Sequence, residues 1–451
     1  MASPAEQLAS SINFGALAKA TELKKRLLFT LGALLVYRLG TYLPLPGLDP
    51  VEVAKFFQSQ SNGIIGLLDM FAGGAVSRMS IFALNIMPYI SASIIVQLLS
   101  SVSPKLEALK KEGEAGRKKL NQYTRMGTVF LAALQAFGVA QGLISSNSGG
   151  NLVLVHGAFF TVSTVITLTA GTIFLMWLGE QITSRGVGNG TSLIIFAGIV
   201  ARLPFALNTT FQQVKTGDLD IFVVFALLVM AVAVITFIVF MERAQRRLVV
   251  QFPKRQVGMR VTSGEMSHLP LKINSSGVIP PIFASSLLLL PLTFVNFAGA
   301  NKGGDIVQWL ARNLGHGTPL YLALYVALIV FFAFFYTAVV FNPADTAENL
   351  KKNGGFIPGY RPGESTAKYI EWVLERITLG GALFVAAISV LPDMLRSQFN
   401  IPFFLGGTSL LIVVGVALDT MGQLEAHMIM RNYEGFLKKG RIKQRWFNVG
   451  S

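Results

Sequence analysis

The chain has 451 residues, 52% of them hydrophobic and only 14% charged, with a formal net charge of +15 and no cysteine. Several uncharged runs reach about the 20 residues that a bilayer crossing needs, so this is a polytopic helical membrane protein and not a β-barrel of short alternating strands. The missing cysteine excludes disulfides and thiol chemistry, and the basic excess, which in a soluble chain would suggest nucleic acid, reads as topology signal and attraction to anionic lipid.

In chain order, the polar and mildly amphipathic Met1–Thr21 comes first, and no removable signal peptide is expected there. Hydropathy then predicts about ten spans, near 25–43, 79–100, 123–143, 158–179, 190–208, 220–241, 274–296, 319–341, 372–391 and 401–420. The first span holds Arg38, which is expected to snorkel or to pair within the bundle. Before the second span, Gly63 to Gly74 is apolar but too short to cross, carries Gly63, Gly66, Gly73 and Gly74, and contains one acid, Asp69. Glycine lets the backbone bend, so this piece reads as movable. The following run, Met79 to Ser100, is free of charge and sets Ile86, Ile90, Ser93 and Gln97 on one helical stripe. Two readings of this stretch stand side by side: a closable pathway through protein, and a re-entrant loop packed for structure with a polar helix–helix contact.

The connections alternate sharply in charge. Lys24, Lys25 and Arg26, then Lys110, Lys111, Arg117, Lys118 and Lys119, then the loops 242–273 and 342–369 and the C-terminal run all fall on one side. Lys and Arg mark the cytoplasmic side, so both termini are expected in the cytoplasm. The loop at 242–273 has alternating, strand-like patches, and both long loops mix arginine with Pro, Gly and aromatics. Neither alone is long enough to build a core, so no separate soluble domain is expected. Their arginines suit an anionic or acidic partner, because guanidinium grips carboxylate or phosphate in a fork. Arg361 stands in a turn made by Pro358, Gly359, Pro362 and Gly363, which would fix where it points. An external polar segment near Leu203 to Asp220 divides the spans five and five, into 1–211 and 212–451, which permits an inverted repeat.

Other chemistry is missing. His156, His268, His316 and His427 have no paired spacing for a metal, no phosphate loop of the G-x-x-x-x-G-K-[ST] type occurs, and Gly186 to Gly190 reads as a cytoplasmic turn. Asp69, Glu180, Arg376 and Asp419 fall at or beyond span ends, so no carboxylate is expected at mid-depth with a partner. That counts against an ion-coupled carrier. No catalytic residue, metal or cofactor is expected, and the energy source would lie in another protein.

A set of motifs in series carries a resemblance. YRLGTYLPLPG (37–47), MFAGG (70–74), ALNIMPYISASII (83–95), KKEGEAGRKK (110–119), MWLGEQIT (176–183), ERAQRR (242–247), HLPLKIN (268–274), FFYTAVVFNPADTAENLKKNGGFIPGYRPGE (334–364) and FLGGTSLLIVV (404–414) resemble the SecY/Sec61 alpha family over nearly the whole chain. The resemblance departs at Ala344, where a basic residue is expected. It implies an all-α fold of about ten helices in two five-helix halves around a central pore. It implies a plug of Gly63, Ile64, Ile65, Gly66, Leu67, Leu68, Asp69, Met70, Phe71, Ala72, Gly73, Gly74 and Ala75. The pore ring would be Ile86, Ile90, Ile195, Ile282 and Ile412, and Ser93 and Gln97 would lie near a lateral gate between spans 2–3 and 7–8. Such a ring of branched aliphatics would dewet a constriction and hold no peptide sequence preferentially. SecE and SecG would be membrane partners, while the SecA motor or a translating ribosome would dock on the basic loops through Arg246, Arg247, Arg255, Arg260 and Arg361. The implied function is a protein-conducting channel of the bacterial inner membrane that passes unfolded preproteins and releases apolar segments into lipid. A secondary transporter of a small solute is the alternative, and a scaffold for membrane assembly a weaker third, disfavoured by the plug-like segment.

Overall fold

Apolar runs of spanning length close into helices because a backbone amide in hydrocarbon finds a partner only inside the chain. The structure is a computed structural model that describes residues 21–59, 69, 72–146, 152–154, 157–217, 220–253, 255–257, 260–262, 266–298, 313, 318–399 and 407–447. The chain divides into two compact units, Met1–Arg202 with Val416–Ser451, and Leu203–Gly415.

The first unit contains helices α1 (Thr21–Gly40), α2 (Pro50–Ser59), α3 (Met87–Val102), α4 (Pro104–Lys111), α5 (Glu114–Ser146) and α6 (Ala158–Arg185), and it takes in the first part of α7 (Gly190–Thr216). Helix α3 packs on α5, α5 on α6, and α1 on α6. On α1, Leu23, Thr30, Ala33 and Tyr37 are buried while Leu28, Leu31, Leu35 and Leu39 point outward. Both faces are apolar, as a helix bordering lipid requires, so burial follows small and polar-tipped residues rather than hydrophobicity. The run from Gly186 to Gly190 is a turn. Its Val187 amide donates to Thr30 Oγ1 at 3.1 Å and its Gly188 amide to Gln423 Oε1 at 3.0 Å, so it fastens α1 to the C-terminal helix.

The second unit begins within α7 and continues with α8 (Ile221–Arg243), strands β1 (Gln245–Gln251), β2 (Arg255–Val257), β3 (Arg260–Thr262) and β4 (Met266–Lys272), then α9 (Ile279–Ala298), α10 (Pro319–Val340), α11 (Pro343–Lys352), α12 (Glu364–Phe399) and the start of α13 (Gly407–Phe447). Helix α10 packs between α9 and α12. Helix α8 is apolar all round yet buries only Ile238 fully, so nearly its whole surface faces outward.

Each predicted span is met by a helix, and among the described residues seven helices are long and apolar enough to cross a membrane by length and composition; Met87–Val102 and Ile279–Leu288 are shorter apolar helices. The largest departure is at the second span. Its helix starts at Met87, not Met79, and residues 72–86 run in consecutive turns with Met79 and Asn85 at positive φ. Proline in the first helical turn sets that start, because its ring suits the first turn and lacks the amide a longer helix would need. Hydropathy misses the break because the turns are as apolar as the helix.

Neither long loop builds a core alone, but the two build one together with the start of α12. Strands β1 and β4 pair antiparallel from Gln245↔Lys272 to Gln251↔Met266. Gln251 then exchanges both backbone hydrogen bonds with Phe356 of the second loop, at 2.8 and 2.9 Å. Beneath them Leu248, Val250, Leu271, Ile357, Ile370 and Val373 form one buried cluster with the first turns of α12. Truncating Ile370 to Ala removes a fully buried branched side chain, at a cost of about 2–5 kcal/mol. Trypsin should then cut the 242–273 loop faster, measured on intact protein in detergent micelles, while α5 and α6 stay protected.

Candidate functional site

The turns before α3 are held by polar contacts from several elements. The Leu45 amide donates to Met79 O at 2.9 Å and the Ile81 amide to Leu43 O at 3.0 Å, so the chain leaving α1 pairs with this segment like a short ladder. Tyr37 Oη lies 3.4 Å from Ala72 O, and Arg38 Nη1 donates to Gly73 O at 2.7 Å. Arg38 therefore pairs within the bundle, as expected, and its guanidinium also lies over the Tyr42 ring. Asp69 is buried. Its Oδ2 lies 2.8 Å from Arg202 Nη1 on α7, and its Oδ1 accepts the Ser77 amide at 2.7 Å. Asp69, expected only as an acid at or beyond a span end, is thus a buried carboxylate with a cationic partner. Arg202 went unmarked in the sequence, although it falls inside the predicted span 190–208.

Of the plug residues expected from the resemblance, Asp69, Ala72, Gly73, Gly74 and Ala75 are described and all are buried. Gly63, Ile64, Ile65, Gly66, Leu67, Leu68, Met70 and Phe71 lie outside the described residues. Gly73 (φ +65°) lies so close to α7 that a Cβ there would stand 2.9 Å from Gly198 Cα.

The five expected ring residues are all buried: Ile86 and Ile412 at 0%, Ile195 at 5%, Ile90 at 7% and Ile282 at 8% exposure. Ile86 caps α3 and accepts the Ile90 amide at 3.1 Å, so the two stand one turn apart on one face. Ile195 lies on α7, one turn before Gly198. Within the second unit Gly415 of α13 packs against Val278, where an added Cβ would stand 2.3 Å from Val278 Cγ1. The segments carrying Ile412 and Ile282 therefore approach closely.

On α3, Gln97 Nε2 donates to Ser93 Oγ at 3.3 Å, while Gln97 Oε1 is buried without a partner among the described residues. Ser100 Oγ donates to Gln97 O at 2.7 Å, which extends the polar stripe by a turn.

Arg246, Arg247 and Arg361 lie on the two loops that share the core. Arg246 and Arg247 are exposed at the start of β1, and Arg255 and Arg260 open the short strands β2 and β3. Arg361 is exposed between Gly359 and Gly363, both at positive φ, and its carbonyl accepts Thr366 Oγ1 at 2.8 Å. Ala344 is exposed in the first turn of α11. Beside Arg361 runs an aromatic ladder that sequence reading missed: Tyr360 stacks on Tyr369 with centroids 4.1 Å apart, Tyr369 on Trp372, and Arg376 lies 3.7 Å over the Trp372 ring. The 3.6-residue spacing of Tyr369, Trp372 and Arg376 was the available signal.

Comparison with known proteins now decides the family. A SecY family profile matches residues 80–421. The protein translocase subunit SecY of Vibrio cholerae is 53% identical over 426 residues, which cover 94% of this chain and 96% of that one. The chain belongs to the SecY family. Its fold is shared with solved channels. One is a SecY protein whose plug domain is described as stabilizing the closed state of the translocation channel and maintaining a membrane seal; it has a TM-score of 0.65 at 18% identity, covering 89% of this chain and 92% of that one. Another is Sec61 in the canine ribosome-channel complex from the endoplasmic reticulum, with a TM-score of 0.60 at 17% identity and the same coverage. The chain is thus a multi-pass membrane protein with the helical SecY/Sec61 fold.

Within this SecY-family site, Gly73 tests the close approach. Gly73→Ala combines a positive φ with a backbone collision, at a cost of about 1–3 kcal/mol. Gly32→Ala on α1 meets nothing within 4 Å and should be neutral or slightly stabilising, since Ala is the better helix former. Thermal unfolding of the two variants in the same detergent should show a lower midpoint for Gly73→Ala only.

Proposed function

We infer that the chain works as the protein-conducting subunit of a translocase, passing unfolded secretory polypeptides across the bacterial cytoplasmic membrane and releasing apolar segments sideways into lipid. The observation that carries this reading is the largely buried, non-helical run from Ala72 to Ile86, with only Arg78 exposed, at the head of an apolar helix. Irregular backbone at membrane depth survives only inside protein or along a cavity, so such a run belongs to the lining of a passage.

On this reading residues 63–75 are the plug and the five isoleucines are the ring. Each isoleucine is uncharged, branched and buried. A collar of such side chains excludes ions by refusing water, and it offers no hydrogen bond to arrest a moving peptide. The Ser93–Gln97 pair suits a lateral gate, because a weak side-chain hydrogen bond between neighbours on one helix leaves the face free to part from its neighbour. SecE and SecG are the membrane partners. SecA or a ribosome docks on the surface of Arg246, Arg247, Arg255, Arg260 and Arg361, where guanidinium meets carboxylate or phosphate. The chain catalyses nothing itself; the motor supplies the energy. The charge alternation along the connections supports cytoplasmic termini. The transporter alternative is set aside, since the family is that of translocase subunits.

Two experiments test this. Ile86→Ser with Ile282→Ser should wet the constriction and raise resting ion conductance in planar bilayers, more so when residues 63–75 are deleted. Leu99→Ser on the exposed face of α3 should not leak, and equal, small leaks from both would remove the ring assignment. Arg361→Glu should weaken motor docking by about 2–5 kcal/mol, so import into inverted vesicles should fall while the protein still assembles. Unchanged import would end the docking role.

A further inference from the structure

The segment 69–77 is gripped by α7 at two points on one stripe. Ile195, Gly198 and Arg202 are spaced three and four residues apart, so they lie along one face of that helix. Gly198 takes the Gly73 backbone at a distance that leaves no room for a Cβ. One turn further on, Arg202 Nη1 reaches Asp69 Oδ2 at 2.8 Å; the Asp69 side chain is 5% exposed and that of Arg202 32%. The other carboxylate oxygen caps the Ser77 amide at 2.7 Å, and the Asp69 carbonyl accepts the Gly74 amide at 3.0 Å. Asp69 therefore binds the amides of Gly74 and Ser77 and ties them to α7. Facing it from α1, Arg38 holds the Gly73 carbonyl and the Tyr37 hydroxyl lies near Ala72 O.

We propose that Arg202 is a positioning residue of the channel: its ion pair with Asp69 latches the backbone at 72–77 against α7, and the resting channel stays shut because release of that backbone must first separate a buried charge from its partner. The proposal rests on the plug reading above. The physical reason is the asymmetry of buried pairs. An intact pair adds modest stability, whereas a buried carboxylate that has lost its cation is strongly disfavoured. A latch of this kind resists partial displacement but yields when that backbone moves far enough for Asp69 to reach water. Because Ile195 lies on the same stripe, an α7 shifted by a passing polypeptide would carry ring and latch together.

The test uses the full chain assembled with its membrane partners in proteoliposomes, and two readouts. The first is the labelling rate of Ala75→Cys by a maleimide; Ala75 is fully buried and the chain has no other cysteine. The second is resting ion conductance. Arg202→Gln and Asp69→Asn should each speed labelling about tenfold, and the double variant should be no faster than the faster single, because the two residues act as one unit. Arg202→Lys, which keeps the cation, should stay nearer the parent than Arg202→Gln does. If one single variant fails to assemble, the charge-swapped pair Asp69→Arg with Arg202→Asp should label more slowly than the remaining single. Unchanged labelling in the singles, multiplied effects in the double, or a swap that labels as fast as the single would overturn the latch. Faster labelling without any rise in conductance would leave the latch standing and overturn the plug reading instead.

Discussion

A peptide group in hydrocarbon has no water to fall back on, so every amide and carbonyl must be answered from within the protein. The helices meet this rule locally. The turns at 72–86 cannot, and much of the first unit is arranged to meet it for them. The chain after α1 exchanges backbone bonds with residues 79–81, Arg38 and Tyr37 turn to the carbonyls of Gly73 and Ala72, and Asp69 takes the Ser77 amide. An arginine inside an apolar helix is costly, and Arg38 is accounted for by the carbonyl it serves. Gly198 is likewise accounted for by the irregular backbone pressed against it. The segment is held by these polar contacts together with buried Val76, Met79, Phe82 and Ile86, and Phe82 stacks between Tyr37 and Phe174.

The basic surface follows a different logic. A cluster of exposed arginines repels itself, so it needs a rigid base to hold its geometry. The base is the small core that the two loops and the start of α12 share. Alternation along β1 turns Leu248 and Val250 inward, and the bridge from Gln251 to Phe356 brings the second loop, with its Arg361 turn, onto the same base. The Arg361 turn is thereby presented from a fixed position on that base.

Much of this was legible in the residues. About ten spans, their order and the strand character of 242–273 followed from hydropathy and periodicity, since both are sums over neighbouring side chains. The choice of inward face was not legible. On α1 the outward Leu28, Leu31, Leu35 and Leu39 are as apolar as the buried Ala33 and Tyr37, because lipid and protein interior solvate them alike. The helix start at Met87 was hidden for the same reason, though Pro88 was a signal available to a closer reading.

What the sequence determined by itself is the set of spans, the charge contrast between their connections and the family motifs, all of which are local properties of the chain. The tertiary structure decided the partnerships. Asp69 reads as an acid ahead of the second span and Arg202 as a lone cation within the fifth, and only their approach to 2.8 Å makes them a buried pair. The core shared by the two loops was decided in the same way, because neither loop has enough apolar surface to close alone. An ion pair or a shared core depends on distances that the fold sets between residues far apart in the chain, and a local pattern carries no record of those distances.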